Sequence, residues 1–324
     1  MPTTALANGF SVRTYQVPPA SFDLDKASDR ERAIYGIPRC SIAFRDLAKR
    51  WEAKAREFRI VEPIFRPREI RRKRLPGFRP GYGPETSTIW SGGIVFPSSV
   101  DRIKWVEGTW TMPNDSPPAG AKHGIWYTAS TWIGIDGDDG SGDVLQAGCD
   151  ADVMSSGGAL RHQFNPWWEW YPAGSFSITT ILVSPGDELT CLICVHPGST
   201  TAASIFLGNV TTQVGCFFSV AAPPGIALLG NCAEWIVEAL ETYDSMPKLA
   251  KYTKVKFNEC RAGTVGGYTL SPGSGSAIDM VDSNNVVISK GQILGKTEVQ
   301  VSYVSALSRD GAREPAEGIV MDAS

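Results

Sequence analysis

From about residue 86 onward, the chain consists of short apolar runs with alternating side-chain character, separated by turn-forming residues. This pattern constrains the fold strongly, because a period of two is typical of strands and not of helices. The regular spacing of the runs, in a chain with 33 glycines and 22 prolines, favours an all-β, antiparallel two-sheet β-sandwich or jelly roll. We predict that this domain spans residues 86–307 and that a flexible tail, 308–324, follows it. The clearest runs are "IKWVEGTWTMP", "GIWYTASTWIGIDG", "FSITTILVSPGDELTCLICVHP" and "TAASIFLGNVTTQVGCFFSV".

Residues 1–85 differ from this domain in charge and in pattern. Residues 1–84 hold 18 Lys and Arg against 9 Asp and Glu, whereas the remainder holds 13 against 25. We predict a basic, partly helical N-terminal segment that is loose over 1–40, helical over 41–60 and a linker over 65–84. A basic segment beside an acidic body binds either an external anion or the body itself. No folded nucleic-acid-binding motif accompanies it, so we expect no nucleic-acid partner.

The seven cysteines indicate no cofactor. Cys191 and Cys194 have the spacing of a redox or zinc motif, but they lie in an alternating run whose residues three apart face opposite ways. We therefore expect neither a metal nor a cofactor. Cys216 and Cys232 lie 16 residues apart, flank a turn-rich stretch and could form a disulfide, but the sequence does not determine the pairing. No apolar run approaches the roughly 18 residues of a membrane span, so we expect no membrane partner.

The segment "FNPWWEWYPAG" (164–174) places one carboxylate, Glu169, among four aromatic rings. Unpaired charges are costly to bury, so ordinary cores avoid this arrangement. Alternation puts Trp167, Glu169 and Tyr171 on one face of a strand and Trp168 and Trp170 on the other. One face then packs into the core, while the other lines a cleft.

The same alternation applies to three other runs. Trp132, Gly134 and Asp136 share a face, Gln146 lies on a cleft-facing position of the next run, and Glu234 shares a face with Glu238. Each residue also has an ordinary structural interpretation. Trp132 could be plain packing, Asp136 turn chemistry in "IDGDDG", and Glu234 half of a surface ion pair.

The chain resembles the glutamic peptidases, the eqolisin family of mostly fungal acid proteases. The resemblance covers roughly residues 88–304 and implies a β-sandwich of two curved antiparallel sheets, a concanavalin-like jelly roll. It implies a catalytic dyad of Gln146 and Glu234, and it places substrate-binding positions on Trp132, Asp136, Trp167, Glu169 and Tyr171. Three neighbours of these positions depart from the family pattern, in "QAG", "YPA" and "CAEW". The motifs that carry the resemblance are "WSGGIVF", "VEGTWTMP", "WIGIDGD", "VLQAG", "WWEWYP", "SPGDELT" and "AEWIVE".

The chemistry of such a dyad follows from its residue types. Amide hydrolysis needs a base for the water, a stabiliser for the oxyanion and an acid for the leaving nitrogen. Glu234 can take a proton from water and return it to the amine, whereas Gln146 cannot titrate and serves as a fixed dipole. We expect Glu169 and its aromatic neighbours to form a cleft wall that excludes water and sets the electrostatics.

The resemblance also implies polypeptide substrates and a pro-segment that masks the cleft. We expect the basic N-terminal segment to act as an intramolecular inhibitor, released in acid and processed near "RRKR" (71–74), and we expect the protein to be a monomer. The family implies secretion, although the start of this sequence lacks a signal-peptide profile.

Two other interpretations remain open. A carbohydrate-binding or glycoside-hydrolysing sandwich would use Glu169 and Glu234 as its carboxylate pair. Alternatively, the chain could be a non-catalytic relative of the peptidases. Gln146 distinguishes a peptidase from a glycoside hydrolase, because only the peptidase needs this glutamine as a partner of Glu234.

Overall fold

The computed structural model describes residues 3–15, 19, 21–23, 26–35, 49, 53, 56–68, 84–138, 141–239 and 248–304. These residues include the short helix α1 (Asp29–Ile34), further helical residues at 49, 53, 56 and 57, two 3-10 turns and twenty-two strands. The strands are β1 (Thr3–Ala5), β2 (Ser11–Thr14), β3 (Arg59–Ile60), β4 (Phe65–Arg68), β5 (Glu85–Ser87), β6 (Trp90–Val95), β7 (Ile103–Thr111), β8 (Asp115–Ser116), β9 (Trp126–Ile135), β10 (Val144–Ser156), β11 (Ala159–Tyr171), β12 (Gly174–Ile178), β13 (Glu188–Val195), β14 (Ala202–Asn209), β15 (Val214–Ala221), β16 (Ala233–Glu238), β17 (Lys251–Tyr252), β18 (Val255–Thr264), β19 (Thr269–Leu270), β20 (Ser276–Val281), β21 (Val287–Ile293) and β22 (Val299–Tyr303).

Two antiparallel layers make up the predicted sandwich. The front sheet runs in the order β4, β12, β11, β10, β9, β16, β6, β20, with β5 added in parallel at its end. The back sheet runs β18, β7, β13, β14, β15, β2, β1, and β3 also pairs with β15. Strands β21 and β22 link β20 to β18, so the two layers join along one edge. The all-β antiparallel fold is confirmed.

The alternation of side chains separates the two faces of the front sheet. Ile133, Leu145, Trp168, Trp170 and Trp235 belong to the large core between the layers. The opposite face, called here the front face, carries a second and smaller apolar cluster. Its members are Ile89, Trp90, Ile94, Trp132, Trp167, Cys232, Ile236 and Ile278. The split of Trp167 from Trp168 and Trp170 agrees with the alternation in "WWEWYP".

The N-terminal segment is more ordered than the sequence predicted. Residues 3–5 and 11–14 were predicted to be loose, but they form β1 and β2, and Phe10 lies in the core at 1% exposure. Residues 65–68 were predicted to be linker, but they form β4 against β12. The predictions were wrong at these places because the edge strands β12 and β15 offer unpaired backbone groups that neighbouring chain can satisfy.

The predicted helix over 41–60 and the processing site at 71–74 fall mostly or wholly outside the described residues. The helix does not extend to residue 60, because Arg59–Ile60 is strand β3, parallel to β15. Tail residues 308–324 also lie outside the described part. The division of the chain at residues 85 and 307 stays a prediction.

Cys216 and Cys232 are both buried free thiols. The suggested Cys216–Cys232 disulfide is therefore wrong. Cys216 packs in the core between the sheets, whereas Cys232 packs in the cluster on the front face, so one layer of sheet separates them. Cys191 and Cys194 belong to different clusters on opposite faces of β13, as alternation predicted.

Among the described residues, no set of three or more His, Cys, Asp or Glu side chains is arranged to hold a metal ion. No helix in this same part of the chain has the length and apolar character needed to cross a membrane.

Candidate active site

A single row of paired residues brings Gln146 and Glu234 together on the front face. Gly134 of β9 pairs with Gln146 of β10 on one side and with Glu234 of β16 on the other. Directly paired residues point to the same face, and neighbouring strands lie about 4.8 Å apart. The two side chains therefore rise from the same face, about 10 Å apart at their backbones. Both are fully buried.

Gly134 leaves open the space between these two side chains. A Cβ atom added to Gly134 would lie 2.9 Å from Oε1 of Glu234 and 3.3 Å from Cβ of Gln146. Both side chains thus lean over the glycine, into volume that any other residue would fill. Such a place can hold a small reactant, such as water, between a carboxylate and an amide.

Glu169 extends the same row on the other side of Gln146. It pairs with Gln146 across β10 and β11, and the Nε2 atom of Gln146 donates a hydrogen bond of 2.5 Å to its Oε2 atom. The amide nitrogen is therefore the end of the Gln146 side chain that faces Glu169. The carboxylate among the aromatic rings therefore orients Gln146. The four residues Glu234, Gly134, Gln146 and Glu169 are called here the dyad row.

The next row along the strands is aromatic. Trp132 of β9 and Trp167 of β11 flank Gly148 of β10, and Ile236 of β16 pairs with Trp132 on the far side. Cζ3 of Trp132 would lie 2.9 Å from a Cβ on Gly134, so the indole borders the space between the dyad side chains. These rings exclude water from one side of the dyad row.

Trp132 is held in place from two sides. Its Nε1 atom donates a 2.8 Å hydrogen bond to Oε2 of Glu238, and its ring packs edge-on against Trp90 at 4.8 Å between centroids. Glu238 lies four residues from Glu234 along β16, about 13 Å away. Its contact with the indole gives it a supporting place in the site.

A third row contains polar residues. Ser130 of β9 pairs with Glu238 on one side and with Asp150 of β10 on the other, and Asp150 pairs with Asn165. The Ser130 hydroxyl donates a 2.7 Å hydrogen bond to Oδ1 of Asp150. Neither Asp150 nor Ser130 was predicted from the sequence to belong to the site. The alternation from Gln146 would have placed Asp150 on this face.

Asp136 has a different environment from the other expected site residues. Its backbone has φ of 71°, so the strand alternation ends before it. Its carboxylate accepts hydrogen bonds from the backbone amides of Leu229, Gly230 and Asn231 at 2.7–2.9 Å. Burial raises the pKa of Asp136, and these amides act against the rise. Asp136 thus fixes the loop that leads into β16.

Tyr171 and Asp143 lie near the ends of β11 and β10. Tyr171 is half-buried, two residues beyond Glu169, and pairs with Val144. Trp170 donates a hydrogen bond of 2.9 Å to Oδ2 of Asp143. Burial raises the pKa of Asp143 to about 6, and the nearby charge of Asp136 adds to the rise. Asp143 was not foreseen from the sequence.

Comparison with known proteins places this arrangement in a family. Residues 88–303 match the Peptidase A4 family. Aspergillopepsin-2 of Aspergillus niger is 29% identical over 234 residues, which cover 68% of this chain and 79% of that protein. Scytalidopepsin B of Scytalidium lignicola is 28% identical over 222 residues, covering 66% and 77%.

The fold leads to the same family. The crystal structure of scytalido-glutamic peptidase with a transition state analog inhibitor superposes with a TM-score of 0.56 and 25% identity, covering 67% of this chain and 98% of that one. Residues 88–303, which match the family, include all four residues of the dyad row. The chain therefore belongs to the Peptidase A4 family of glutamic peptidases and is an endopeptidase of that type.

Proposed function

We propose that this chain is an acid endopeptidase in which Gln146 and Glu234 act together on a water molecule above Gly134. The observation that carries the proposal is the pairing of both residues with the same glycine. This register places one titratable carboxyl and one neutral amide on opposite sides of Gly134. The carboxyl can act as the base for water, and the amide can stabilise the oxyanion; addition of water to a peptide bond requires both kinds of group.

The proposed reaction begins with proton transfer. Glu234 takes a proton from the water as the water oxygen bonds to the carbonyl carbon of the substrate. The carbonyl oxygen becomes an oxyanion, which the Gln146 amide stabilises. Glu234 then gives its proton to the leaving nitrogen, the C–N bond breaks, and the carboxylate is restored.

Glu169 has a defined place in this scheme. A side-chain amide has two N–H donors, and the hydrogen bond to Glu169 uses one of them. We assign the other to the oxyanion. Because Glu169 holds the amide before substrate arrives, little reorganisation is needed during the reaction, and preorganised donors of this kind contribute about 10²–10³-fold to rate.

The ionisation of the buried carboxyls supports activity in acid. Burial is the main cause of a raised pKa at five carboxyls, which are Glu85, Asp115, Asp136, Asp143 and Asp279. A carboxyl whose pKa is higher in the folded state than in the unfolded state makes its full contribution to stability at pH values below the unfolded-state pKa. That stabilisation is lost as the pH rises through the folded pKa. These groups thus make the fold more stable in acid than at neutral pH.

The decisive test replaces each dyad member and assays two substrate classes. Glu234→Gln and Gln146→Ala should each abolish digestion of a denatured protein in acid while leaving the circular dichroism spectrum unchanged. If the wild-type protein hydrolyses a glucan and Gln146→Ala hydrolyses it equally well, the glycosidase interpretation is favoured instead. The row gives that interpretation less support, because Gln146 and Gly134 lie between Glu169 and Glu234. Full peptidase activity in either variant would refute the dyad.

We also propose that the N-terminal segment inhibits the enzyme until acid loosens it. Strand β4 lies at the edge of the front sheet, and its Arg68 forms an ion pair with Asp150 of the third row. Acid lowers the net negative charge of residues 85–324 and so weakens their attraction to the basic N-terminal segment. The full chain should be inactive at neutral pH and should gain activity in acid with the appearance of a shorter product. Equal activity of full and shortened chains at both pH values would contradict this proposal.

Secretion also stays a proposal. It is supported by the expected acid activity, which suits an extracellular setting more than a neutral cell interior. Mass spectrometry of culture medium and of washed cells would test it, and protein retained wholly in the cells would contradict it.

A further inference from the structure

Phe10, near the start of the chain, packs against the front sheet from its core side. It is 1% exposed and belongs to the core between the two layers. Its ring contacts Trp168 and Phe176 edge-on, with centroids 5.3 Å and 5.6 Å away. These two rings lie on β11 and β12 and stack on each other at 4.9 Å. Phe10 therefore contacts both strands of the hairpin that β11 and β12 form.

Asn8 holds the turn of the same hairpin. Its Nδ2 atom donates a 2.9 Å hydrogen bond to the backbone carbonyl of Ala173. A Cβ atom added to Gly174 would lie 2.9 Å from Cε2 of Phe10 and 3.1 Å from Nδ2 of Asn8. Asn8 has φ of 62°, a left-handed conformation that asparagine adopts more readily than most residues. Residues 8–10 thus fit closely against the turn between β11 and β12.

The chain that follows fixes this contact to the back sheet. Strand β2 begins directly after Phe10 and pairs with β15, and its Val12 is buried in the same core. Residues 8–14 lie outside the range 88–303 that matches the family. The N-terminal segment therefore supplies part of the core that supports the front sheet.

The supported hairpin carries Glu169. This residue follows Trp168 on β11 and pairs with Ser175 of β12. Its side chain points to the front face, where Oε2 accepts the hydrogen bond from Gln146. Close-packed interiors transmit displacements, and a cavity lets its neighbours shift. Loss of the support behind Trp168 should therefore displace the Glu169 carboxyl and, with it, the Gln146 amide.

We propose that Asn8 and Phe10 are positioning residues, which hold Glu169 and thereby keep the Gln146 amide in the orientation that catalysis needs. The proposal rests on the proposed peptidase function. It gives the N-terminal segment two opposed roles. Strand β4 reaches the front face and takes part in inhibition, whereas residues 8–14 support the site from behind. Residues 8–14 therefore stay with the sandwich in the active enzyme.

A double-mutant cycle separates positioning from simple stability. Asn8→Gly removes the hydrogen bond to Ala173 and suits the left-handed backbone, and Phe10→Ala removes the ring contacts. Each is made in the full chain with Glu169 and again with Glu169→Gln. Asn285→Gly is the matched control, because Asn285 is an exposed asparagine with φ of 58° in a distant turn. The assay gives kcat and KM on a denatured protein in acid, well below the melting temperature.

The expected result is a loss that depends on Glu169. In the chain with Glu169, both changes should lower kcat about tenfold with little change in KM, since small displacements of catalytic groups are costly. With Glu169→Gln, the same changes should lower kcat less than about twofold, because residues that act through a shared partner are not additive. Asn285→Gly should have no effect. Equal losses in both backgrounds, or no loss in either, would overturn the proposal.

A second measurement does not need activity. The side-chain amide signal of Gln146 is identified in NMR spectra by its absence from Gln146→Ala. It should shift in Asn8→Gly and Phe10→Ala, as it does in Glu169→Gln, and should not shift in Asn285→Gly. An unchanged signal would contradict the proposal. If Phe10→Ala does not fold, Asn8→Gly decides the outcome alone.

The same experiments distinguish this proposal from the proposed function. A shifted amide signal in a chain without peptidase activity contradicts the peptidase proposal alone. Peptidase activity with additive losses and an unchanged signal contradicts the positioning role alone. Mass spectrometry of the active peak from size-exclusion chromatography in acid should find residues 8–14 with every sandwich, and an active sandwich that lacks them would also overturn the proposal.

Discussion

Replacing Gly134 with alanine should separate activity from folding. The new methyl carbon would lie 2.9 Å from Oε1 of Glu234, 2.9 Å from Cζ3 of Trp132 and 3.3 Å from Cβ of Gln146. Carbon contacts are comfortable at about 3.5–4.0 Å, so the neighbours must retreat by about 0.5–1 Å. Misplacement of catalytic groups by about 1 Å can lower the rate about 100-fold. We expect a fall of that size in kcat/KM.

The stability of the variant should change much less. Adding one methyl to a packed site typically costs about 1–3 kcal/mol, which lowers the melting temperature of a domain this large by a few degrees. The assay is kcat/KM on a denatured protein in acid, with thermal unfolding followed in parallel. Gly142→Ala is the matched control, because a Cβ there meets no atom within 4 Å. Full activity of a folded Gly134→Ala chain would refute the argument that this glycine makes room for the dyad.

Three further variants test the surroundings of the dyad. Glu169→Gln replaces the carboxyl group that accepts the hydrogen bond of the Gln146 amide, so kcat should fall about tenfold with little change in KM. An unchanged pH–rate profile would contradict an electrostatic role for Glu169. Asp143→Asn should stabilise the fold by about 1–3 kcal/mol at neutral pH but not in acid, because the pKa of Asp143 is raised to about 6. The asparagine keeps an oxygen that can accept the hydrogen bond from Trp170. Urea unfolding at both pH values measures the change, and equal stabilisation at both would contradict the prediction. Asp136→Ala should lower the free energy of unfolding by about 1–3 kcal/mol, since it removes the acceptor of three backbone amides. A loss of activity with unchanged stability would instead indicate a direct role in substrate binding.

The two faces of the front sheet could be predicted because strand alternation is a local property of the sequence. The pattern in "WWEWYP" placed Trp168 apart from Trp167 and Glu169, and the structure confirms this separation. The contact between Glu169 and Gln146 could not be predicted this way. It depends on the register of β10 against β11, and a shift of one residue would send one of the two side chains to the other face.

The N-terminal segment shows where sequence patterns fail for a different reason. Strands β1, β2 and β4 are three or four residues long, too short for alternation to identify. They form because the edges of a preformed sandwich offer backbone partners, so their conformation is determined by the neighbouring strand. The left-handed backbone of Asp136 lies outside strand alternation, so its hydrogen bonds to the backbone amides of residues 229–231 could not be predicted from that pattern.

A high-resolution crystal structure of the full chain in acid would test the dyad most directly. We predict one ordered water above Gly134, within about 2.6–3.2 Å of both the Gln146 amide and the Glu234 carboxyl. A structure in which no single water reaches both groups, or in which the two side chains turn away from Gly134, would contradict the proposed mechanism.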